Sequence, residues 1–205
     1  MSNAELITKF ENLLSKINRE GMNELIDYIR KSDFYTAPAS TRFHSCHKGG
    51  LLEHSLNVYK CLSAKISNPT WYEILNEVGE ESIILCSLLH DICKTHFYSP
   101  KYRNEKQYSE TGSKRDEGGR FNWVSVQGWE IDNKMPLGHG EKSCFILMNY
   151  IKLLPIEIYA IRWHMGFSEP REQYNDVGKA MEMYPFILAL HEADSEATYL
   201  YEVRK

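Results

Sequence analysis

The chain has 205 residues, which fits one domain of ordinary size and is long enough to bury a core without disulfides. Hydrophobic residues make up 42% and charged residues 25%, a composition typical of soluble globular proteins that excludes a wholly disordered chain. Twenty-four basic side chains against 28 acidic ones give a net charge of −4, so binding nucleic acid through a broad basic face is not expected.

Helical spacing of apolar residues dominates the pattern from the amino terminus onward. Two short amphipathic helices that pack on the core are predicted between Ala4 and Lys31, with Gly21 between them. Further helices are predicted from about Gly50 to before Pro69, from about Glu80 to Thr95, and over about 140–151, 155–165, 172–183 and 185–202. Seven or eight helices in one chain indicate an all-α domain.

Residues 98–137 depart from this helical pattern. The segment is rich in glycine, serine, charged residues and aromatic residues, and apolar residues alternate from Phe121 to Ile131. Alternation predicts a β-hairpin within a long inserted loop. We expect a lid or wall that selects a nucleotide or a short single strand, since aromatic rings stack on bases. Core packing and a homodimer contact are the alternatives.

The cysteines and the amino terminus bear on the cellular compartment. Five cysteines, with no C-x-x-C pair, indicate scattered and mostly buried thiols rather than a disulfide framework or a thiolate zinc site. The longest strongly apolar run, Ile83 to Leu89, is far shorter than the ~20 residues of a membrane helix. The first residues do not resemble a signal peptide. A cytoplasmic protein without a membrane partner is expected.

The segment Leu88-Leu89-His90-Asp91-Ile92-Cys93-Lys94 carries the clearest chemical signal. It places an imidazole beside a carboxylate at the end of a helix that is otherwise apolar. Burying this pair is costly unless a divalent cation compensates, although a surface ion pair or a hydrogen-bonded core histidine is the simpler interpretation. Lys94 lies one turn after His90, where its ammonium could reach a substrate phosphate.

Four other segments add candidates of the same kind. His54 lies among apolar residues, and His139 and His164 lie near helix ends. Asp194 also has apolar neighbours, and no lysine or arginine lies three or four residues away to pair with it. Arg42, His44 and Arg162 are candidate substrate contacts. Glu141 and Lys142 are expected to be exposed at a helix start.

In chain order, the candidate residues are His54, His90, Asp91, Lys94, His139, His164 and Asp194. This order resembles that of the HD-domain metal-dependent phosphohydrolase superfamily. The segments GGLLEH, HDxxK, PLGHGEKS, RWHMG and ADxEAT are similar to a branch that includes the HD domain of certain 3′→5′ exoribonucleases. The resemblance covers residues 42–200. It implies one HD domain over 1–205, with packing helices in 1–40, the core in 42–200 and the insertion at 98–137.

The resemblance implies a helical bundle around a metal site. His54, His90, Asp91 and Asp194 would hold one divalent cation, and His139 and His164 a second, with Asp91 bridging. Asp91 and Lys94 would act in catalysis, and Lys94, Arg42, His44 and Arg162 would contact substrate. Imidazole and carboxylate ligands favour Mn²⁺, Fe²⁺, Ni²⁺, Co²⁺ or Zn²⁺ over Mg²⁺.

The expected activity is metal-dependent hydrolysis of a phosphomonoester or phosphodiester bond in a nucleotide or a short oligonucleotide. Two cations about 3.5–4 Å apart can activate water and stabilise both oxygens of a phosphoryl displacement. Two alternatives use the same residues. One is a di-iron oxygenase of the same superfamily, and the other is a non-catalytic module that senses a nucleotide or binds a partner.

Overall fold

Nine α-helices and one three-stranded antiparallel sheet form residues 2–203, the part of the chain that the computed structural model describes. The helices are α1 (Asn3–Leu14), α2 (Met22–Lys31), α3 (Gly50–Lys65), α4 (Pro69–Val78), α5 (Glu80–Leu89), α6 (His139–Met148), α7 (Pro155–Trp163), α8 (Tyr174–Met183) and α9 (Phe186–Glu196). The strands are β1 (Tyr98–Tyr108), β2 (Lys114–Asp116) and β3 (Gly119–Ile131). Short 3₁₀ turns occupy Ile92–Lys94, Gly166–Ser168 and Arg171–Gln173, and a π-helical turn, Ala197–Glu202, follows α9.

The two predicted amphipathic helices at the amino terminus are present as α1 and α2. Ser2 caps α1 through a reciprocal pair of hydrogen bonds with Glu5, which satisfies two free backbone donors. Gly21 precedes α2 with a φ of +84°, a conformation that glycine adopts without steric cost. Their buried faces join the core, as the packing role predicted.

One predicted helix was wrong in extent, and one helix was not predicted. The helix expected over 80–95 ends at Leu89, because Asp91 leaves helical geometry (φ −104°, ψ 17°) before the 3₁₀ turn. Helix α4 was not predicted, since Pro69 was interpreted only as the end of the preceding helix. Pro69 instead occupies the first turn of α4, where its missing N–H costs no hydrogen bond, and Asn68 caps that turn.

The inserted segment forms a three-stranded sheet rather than a single hairpin. β3 lies between β1 and β2, and the pairing of β1 with β3 runs from Tyr98 opposite Ile131 to Tyr108 opposite Phe121. We call this β1–β3 pair the ribbon. Its register places six aromatic side chains on one face, namely Tyr98, Tyr102, Tyr108, Phe121, Trp123 and Trp129. Every β1 residue from Pro100 onward is exposed, so most of the ribbon extends away from the helices.

The core of the bundle surrounds α5, which is buried from Ser82 to Leu89. α3 packs against α5 and α9, and α7 packs against α5, α6 and α9. The chain is thus mostly helical with one small sheet, and the HD-domain assignment stays a prediction. Between residues 2 and 203, no helix combines the length and the apolar character that crossing a membrane needs.

Candidate metal centre

The six side chains predicted as metal ligands lie together where α5 ends. His54 comes from α3, Asp194 from α9, and His90 and Asp91 follow the last turn of α5. His139 begins α6 and His164 follows α7. Neighbouring imidazole centroids are 5.4 Å apart for His54 and His90, 4.8 Å for His90 and His164, and 5.2 Å for His139 and His164. Residues up to 140 positions apart in the chain thus form one cluster.

The Asp91 carboxylate lies between two pairs of histidines. Its Oδ1 is 2.5 Å from His139 Nε2 and 3.6 Å from His164 Nε2. Its Oδ2 is 3.6 Å from Nε2 of both His54 and His90. Each oxygen therefore faces a different pair of imidazoles, as expected of a carboxylate that bridges two cations.

Backbone carbonyls fix the orientation of two of these imidazoles. His90 Nδ1 donates to the carbonyl of Ser87 at 3.0 Å, and His164 Nδ1 donates to that of Ile161 at 2.7 Å. Because a carbonyl can only accept, the neutral rings carry a lone pair on Nε2. Both Nε2 atoms are buried and have no hydrogen-bond partner among the described residues. Histidines that bind a metal through one ring nitrogen usually donate a hydrogen bond from the other, as these two do from Nδ1.

His54 is held by a carboxylate instead. Its Nδ1 lies 3.1 and 3.2 Å from the two oxygens of the buried Glu202, while its Nε2 lies 3.2 Å from Asp194 Oδ1. Glu202 also accepts from Ser45 Oγ at 2.9 Å and from Asn57 Nδ2 at 3.0 Å. Sequence reasoning missed Glu202, although an acid within the largely apolar run Tyr199–Val203 is a signal that could have identified it.

Buried charges are balanced within the cluster. Lys94 Nζ lies 2.6 Å from Asp91 Oδ2. Burial would raise the pKa of Asp91, but the ammonium of Lys94 and the histidines hold it well below its ordinary value. Burial would lower the pKa of Lys94, but Asp91 raises it above the ordinary value, so Lys94 stays protonated. Lys94 therefore lies beside the site, as predicted, and its ammonium group carries a permanent positive charge there.

The histidines differ in protonation because their partners differ. Burial lowers the pKa of His90 to about 3, so this imidazole is neutral and can act as a ligand. Burial would also lower the pKa of His54, but hydrogen bonds to Asp194 and Glu202 outweigh it and raise the pKa to about 10. A cation entering this cluster would therefore displace a proton from His54.

The residues present fit a divalent cation. Imidazole nitrogens and carboxylate oxygens suit first-row transition metals, and the two buried Nε2 atoms without partners are available as ligands. Ligand atoms lie within 4.8 Å of one another in the groups His54–His90–Asp194, His90–Asp91–His164 and Asp91–Cys93–His139. The identity of the metal does not follow from these donors.

Cys93 lies in the third group, although sequence analysis gave the cysteines no role. Its Sγ is 3.3 Å from His139 Nδ1. Burial raises the pKa of this thiol to about 12, so in the metal-free protein Cys93 is protonated and is a neutral neighbour of His139. The remaining described cysteines are free, with Cys46 exposed and the others buried, as the scattered pattern predicted.

Gly140 allows α6 and α7 to approach closely. A Cβ atom at this position would clash with the backbone carbonyl of Arg162. His139 precedes this contact on α6, and His164 lies just beyond it after α7. The glycine therefore lets the two imidazoles approach to a centroid distance of 5.2 Å.

The predicted substrate contacts have different surroundings. The His44 ring is 5.0 Å from the His54 ring, and both of its nitrogens are buried without a hydrogen-bond partner among residues 2–203. Arg42 is exposed. The guanidinium of Arg162 is held by Glu141 of α6 at 2.5 Å, and by Glu169 at 2.8 Å and Gln173 at 3.0 Å in the segment between α7 and α8.

Lys142 differs from its prediction. It was expected to be exposed at a helix start, but only 5% of its surface is accessible. The reason is that the first turn of α6 packs against the Ile92–Lys94 turn, so a side chain one turn after His139 points inward.

The chain shares a partial similarity with a known phosphodiesterase. A segment of 65 residues is 38% identical to the dihydroneopterin 2′,3′-cyclic phosphate phosphodiesterase of Methanocaldococcus jannaschii. The segment is 32% of this chain and spans about a quarter (26%) of the length of that relative. No protein-family profile and no solved structure matches the chain. The similarity supports phosphohydrolase chemistry in general terms and leaves the substrate open.

Proposed function

We propose that the chain is a metal-dependent phosphohydrolase that cleaves a phosphomonoester or phosphodiester of a nucleotide or short oligonucleotide. The observation that carries the proposal is the position of Asp91, each oxygen of which faces a different pair of histidines. A buried lysine beside the same carboxylate and the partial similarity to a phosphodiesterase support the reaction class.

The cluster offers ligands for two cations. His54, His90, Asp91 and Asp194 would hold one, and His139 and His164, sharing Asp91, would hold the second. Divalent transition metals such as Mn²⁺, Fe²⁺, Ni²⁺, Co²⁺ or Zn²⁺ suit these donors better than Mg²⁺ does. When bound, such cations supply Lewis acidity, which lowers the pKa of water and withdraws negative charge from phosphate oxygens.

The side chains of the protein set the remaining conditions for hydrolysis. Lys94 keeps a positive charge beside the cluster and would bind a non-bridging phosphate oxygen as a point charge. Among the proposed metal ligands, His139 and Asp194 are the most exposed, with side-chain exposures of 28% and 19%. The exposures of His54, His90, Asp91 and His164 are 3% or less. Substrate would therefore approach from the side of His139 and Asp194. His44 and Arg42 remain proposed contacts for the rest of the substrate.

The test combines metal analysis with a hydrolysis screen. Protein purified without chelators is analysed for bound metals, and phosphorylated nucleotides, cyclic nucleotides and short RNA or DNA are screened for cleavage. We expect one or two transition-metal ions per chain and hydrolysis that Asp91→Ala abolishes together with metal binding. A variant that keeps both metal and turnover would contradict the mechanism.

Two further outcomes distinguish the alternative functions. Iron as the bound metal together with oxygen consumption would favour a di-iron oxygenase. Metal and nucleotide binding without turnover of any phosphate ester would favour a sensing or partner-binding module. A homodimer and a cytoplasmic location stay predictions.

A further inference from the structure

A cavity of about 230 Å³ adjoins the metal cluster. Cys93 and Thr95 from the turn after α5 line it, together with Phe97, Asn133 and Lys142. Cys93 belongs to both spaces, because its Sγ also lies 3.3 Å from His139 Nδ1. The volume is below the ~300–1,000 Å³ of sites that enclose a whole drug-sized ligand. The cavity therefore has the size for one chemical group of a ligand that extends beyond it.

Lys142 brings a buried positive charge to this cavity. Its Nζ donates to Asn133 Oδ1 at 3.1 Å and lies 4.3 Å from the centroid of the Phe97 ring. Within residues 2–203, no carboxylate forms an ion pair with it. An ammonium carries three N–H donors, and a buried charge without a counter-ion is costly. Lys142 thus has donors and charge for which the described part of the chain supplies no anion.

The buried Lys94 and the half-buried Lys65 show, by contrast, that Lys142 has no carboxylate partner among residues 2–203. Lys94 has Asp91 at 2.6 Å, and Lys65 has Glu192 and Glu196, both at 2.8 Å. Each of these ammonium groups is thereby neutralised by a carboxylate of the protein. Lys142 lines the cavity and has no such carboxylate beside it among residues 2–203.

Hydroxyl and cationic groups complete the lining. Tyr28 and Thr95 line the cavity with hydroxyls that hydrogen-bond to each other at 3.0 Å. Lys134, at the rim, pairs with Asp132 at 3.1 Å, so its charge is already balanced. Lys142 is therefore the lining residue whose charge calls for an anion from outside the chain.

We propose that this cavity binds a second phosphate group of the substrate, separate from the phosphate that is hydrolysed at the metal centre. The inference rests on the proposed function. Lys142 and His139 lie three residues apart on α6, hence on neighbouring positions of one helix face, about 5–6 Å between Cβ atoms. Two phosphates of one nucleotide can occupy both positions. The substrate class is then a nucleotide with at least two phosphates, which includes an oligonucleotide.

The first experiment measures binding of inorganic phosphate to the full chain with its metal as purified. Titration calorimetry at constant ionic strength compares wild type with Lys142→Gln, Asp91→Asn and the rim control Lys134→Gln. We expect Lys142→Gln to weaken phosphate binding about tenfold or more, as loss of a charged hydrogen bond does. Lys134→Gln and Asp91→Asn should retain it. Because the metal centre can also bind phosphate, the decisive comparison is Asp91→Asn with the double variant Asp91→Asn/Lys142→Gln. Loss of phosphate binding in Asp91→Asn, or equal affinity in these two variants, would place the phosphate at the metal centre and overturn the proposal.

The second experiment asks whether one ligand reaches both positions. Adenosine 3′,5′-bisphosphate should bind more tightly than inorganic phosphate and lose affinity in both Lys142→Gln and Asp91→Asn. Equal affinity for the two probes would show that the cavity takes a free anion, contrary to the proposal. If no phosphate ester is hydrolysed, the proposed function fails, yet the dependence of phosphate binding on Lys142 is still measured.

Thermal unfolding separates binding from packing. Lys142→Met removes the buried charge, so without phosphate its midpoint should equal or exceed that of wild type. Added phosphate should then raise the midpoint of wild type more than that of the variant, since the variant keeps only the metal centre as a phosphate site. A lower midpoint for both Lys142→Met and Lys142→Gln in phosphate-free buffer would assign the lysine a packing role and contradict the proposal.

Discussion

Glu202 orients His54, so that its Nε2 rather than its Nδ1 faces the candidate metal ligands. With the carboxylate at Nδ1, Nε2 is directed toward Asp91 and Asp194. Partners of this kind orient the ring and increase the basicity of the ligand, and their loss commonly lowers metal affinity. Ser45 and Asn57 hold the carboxylate in place, so the orientation depends on a small network rather than on one contact.

Replacing Glu202 with glutamine tests this role. Glu202→Gln keeps the size of the side chain and removes its charge, so metal affinity should fall about 10- to 100-fold. Competition with a chromogenic chelator measures the change. Glu196→Gln is the control, because Glu196 pairs with Lys65 and not with the cluster. Equal affinities for the two variants would show that Glu202 does not act through His54.

The raised pKa of His54 predicts a pH dependence for the metal-free protein. The folded value of about 10 lies above the unfolded value of about 6.5. The stabilisation by the charged form is therefore complete below about pH 6.5 and is lost as the pH rises toward 10. The unfolding midpoint of chelator-treated protein should fall over this window, with a smaller slope for His54→Gln. If the unfolding midpoint fell equally steeply with pH in wild type and in His54→Gln, the prediction would be wrong. Metal-loaded wild type is the control.

At the scale of elements, a buried ion pair joins the amino-terminal helices to α7. Arg19, between α1 and α2, contacts both oxygens of Glu157 at 2.8 and 2.6 Å, and the Glu157 side chain is fully buried. Ser82 of α5 and the backbone N–H of Leu154 donate to the same carboxylate at 2.6 and 2.7 Å. The Glu157 carboxylate thus links the segment between α1 and α2, helix α5 and the start of α7.

Removing the arginine should destabilise the fold. Arg19→Met leaves a buried carboxylate without its cation, and breaking such a pair costs about 3–5 kcal/mol. Denaturant unfolding of the metal-loaded protein measures the cost. Arg30→Met is the matched control, because its pair with Glu11 is solvent-exposed on the arginine side and should contribute about 1 kcal/mol or less. Similar costs for both variants would contradict the prediction.

The helices could be predicted because their signals are local, whereas the set of six clustered side chains followed from the resemblance of five segments to a known superfamily. Apolar periodicity gives the helices, and short segments around His54, His90 and His164 mark polar residues in apolar surroundings. Helix α4 was missed because a proline is equally able to end one helix and to begin the next. The contacts of Glu202 and Lys142 could not be predicted, since each depends on residues brought together only by packing.

At the scale of the whole molecule, the ribbon is the part least integrated with the core. Phe121 is buried only within the tip of the ribbon, where its ring contacts Tyr108 and Trp123. Tyr102 and Trp123 have exposures of 68% and 49%. The aromatic face begins at Tyr98, whose hydroxyl donates to the carbonyl of Ala39 at 3.2 Å near the cluster.

Shortening the ribbon should leave the bundle stable. We expect that joining Tyr102 to Gln127 through an Asn-Gly turn, in place of 103–126, shifts the unfolding midpoint by less than about 4 °C, equivalent to about 1 kcal/mol. Calorimetry measures the midpoint, and sedimentation shows whether a homodimer, if wild type forms one, becomes monomeric. A much lower midpoint would show that the ribbon contributes to the core.

The contact at Gly140 has a consequence for how the centre can change. Main-chain atoms of α6 and α7 meet there without intervening side chains, so the gap between His139 and His164 cannot be adjusted by altering neighbouring core residues. A methyl group at position 140 would act as a wedge and spread the two helices. His54 and His90 lie on α3 and after α5, so a wedge between α6 and α7 would not act on them directly. One glycine thereby makes one half of the centre sensitive to mutation independently of the other.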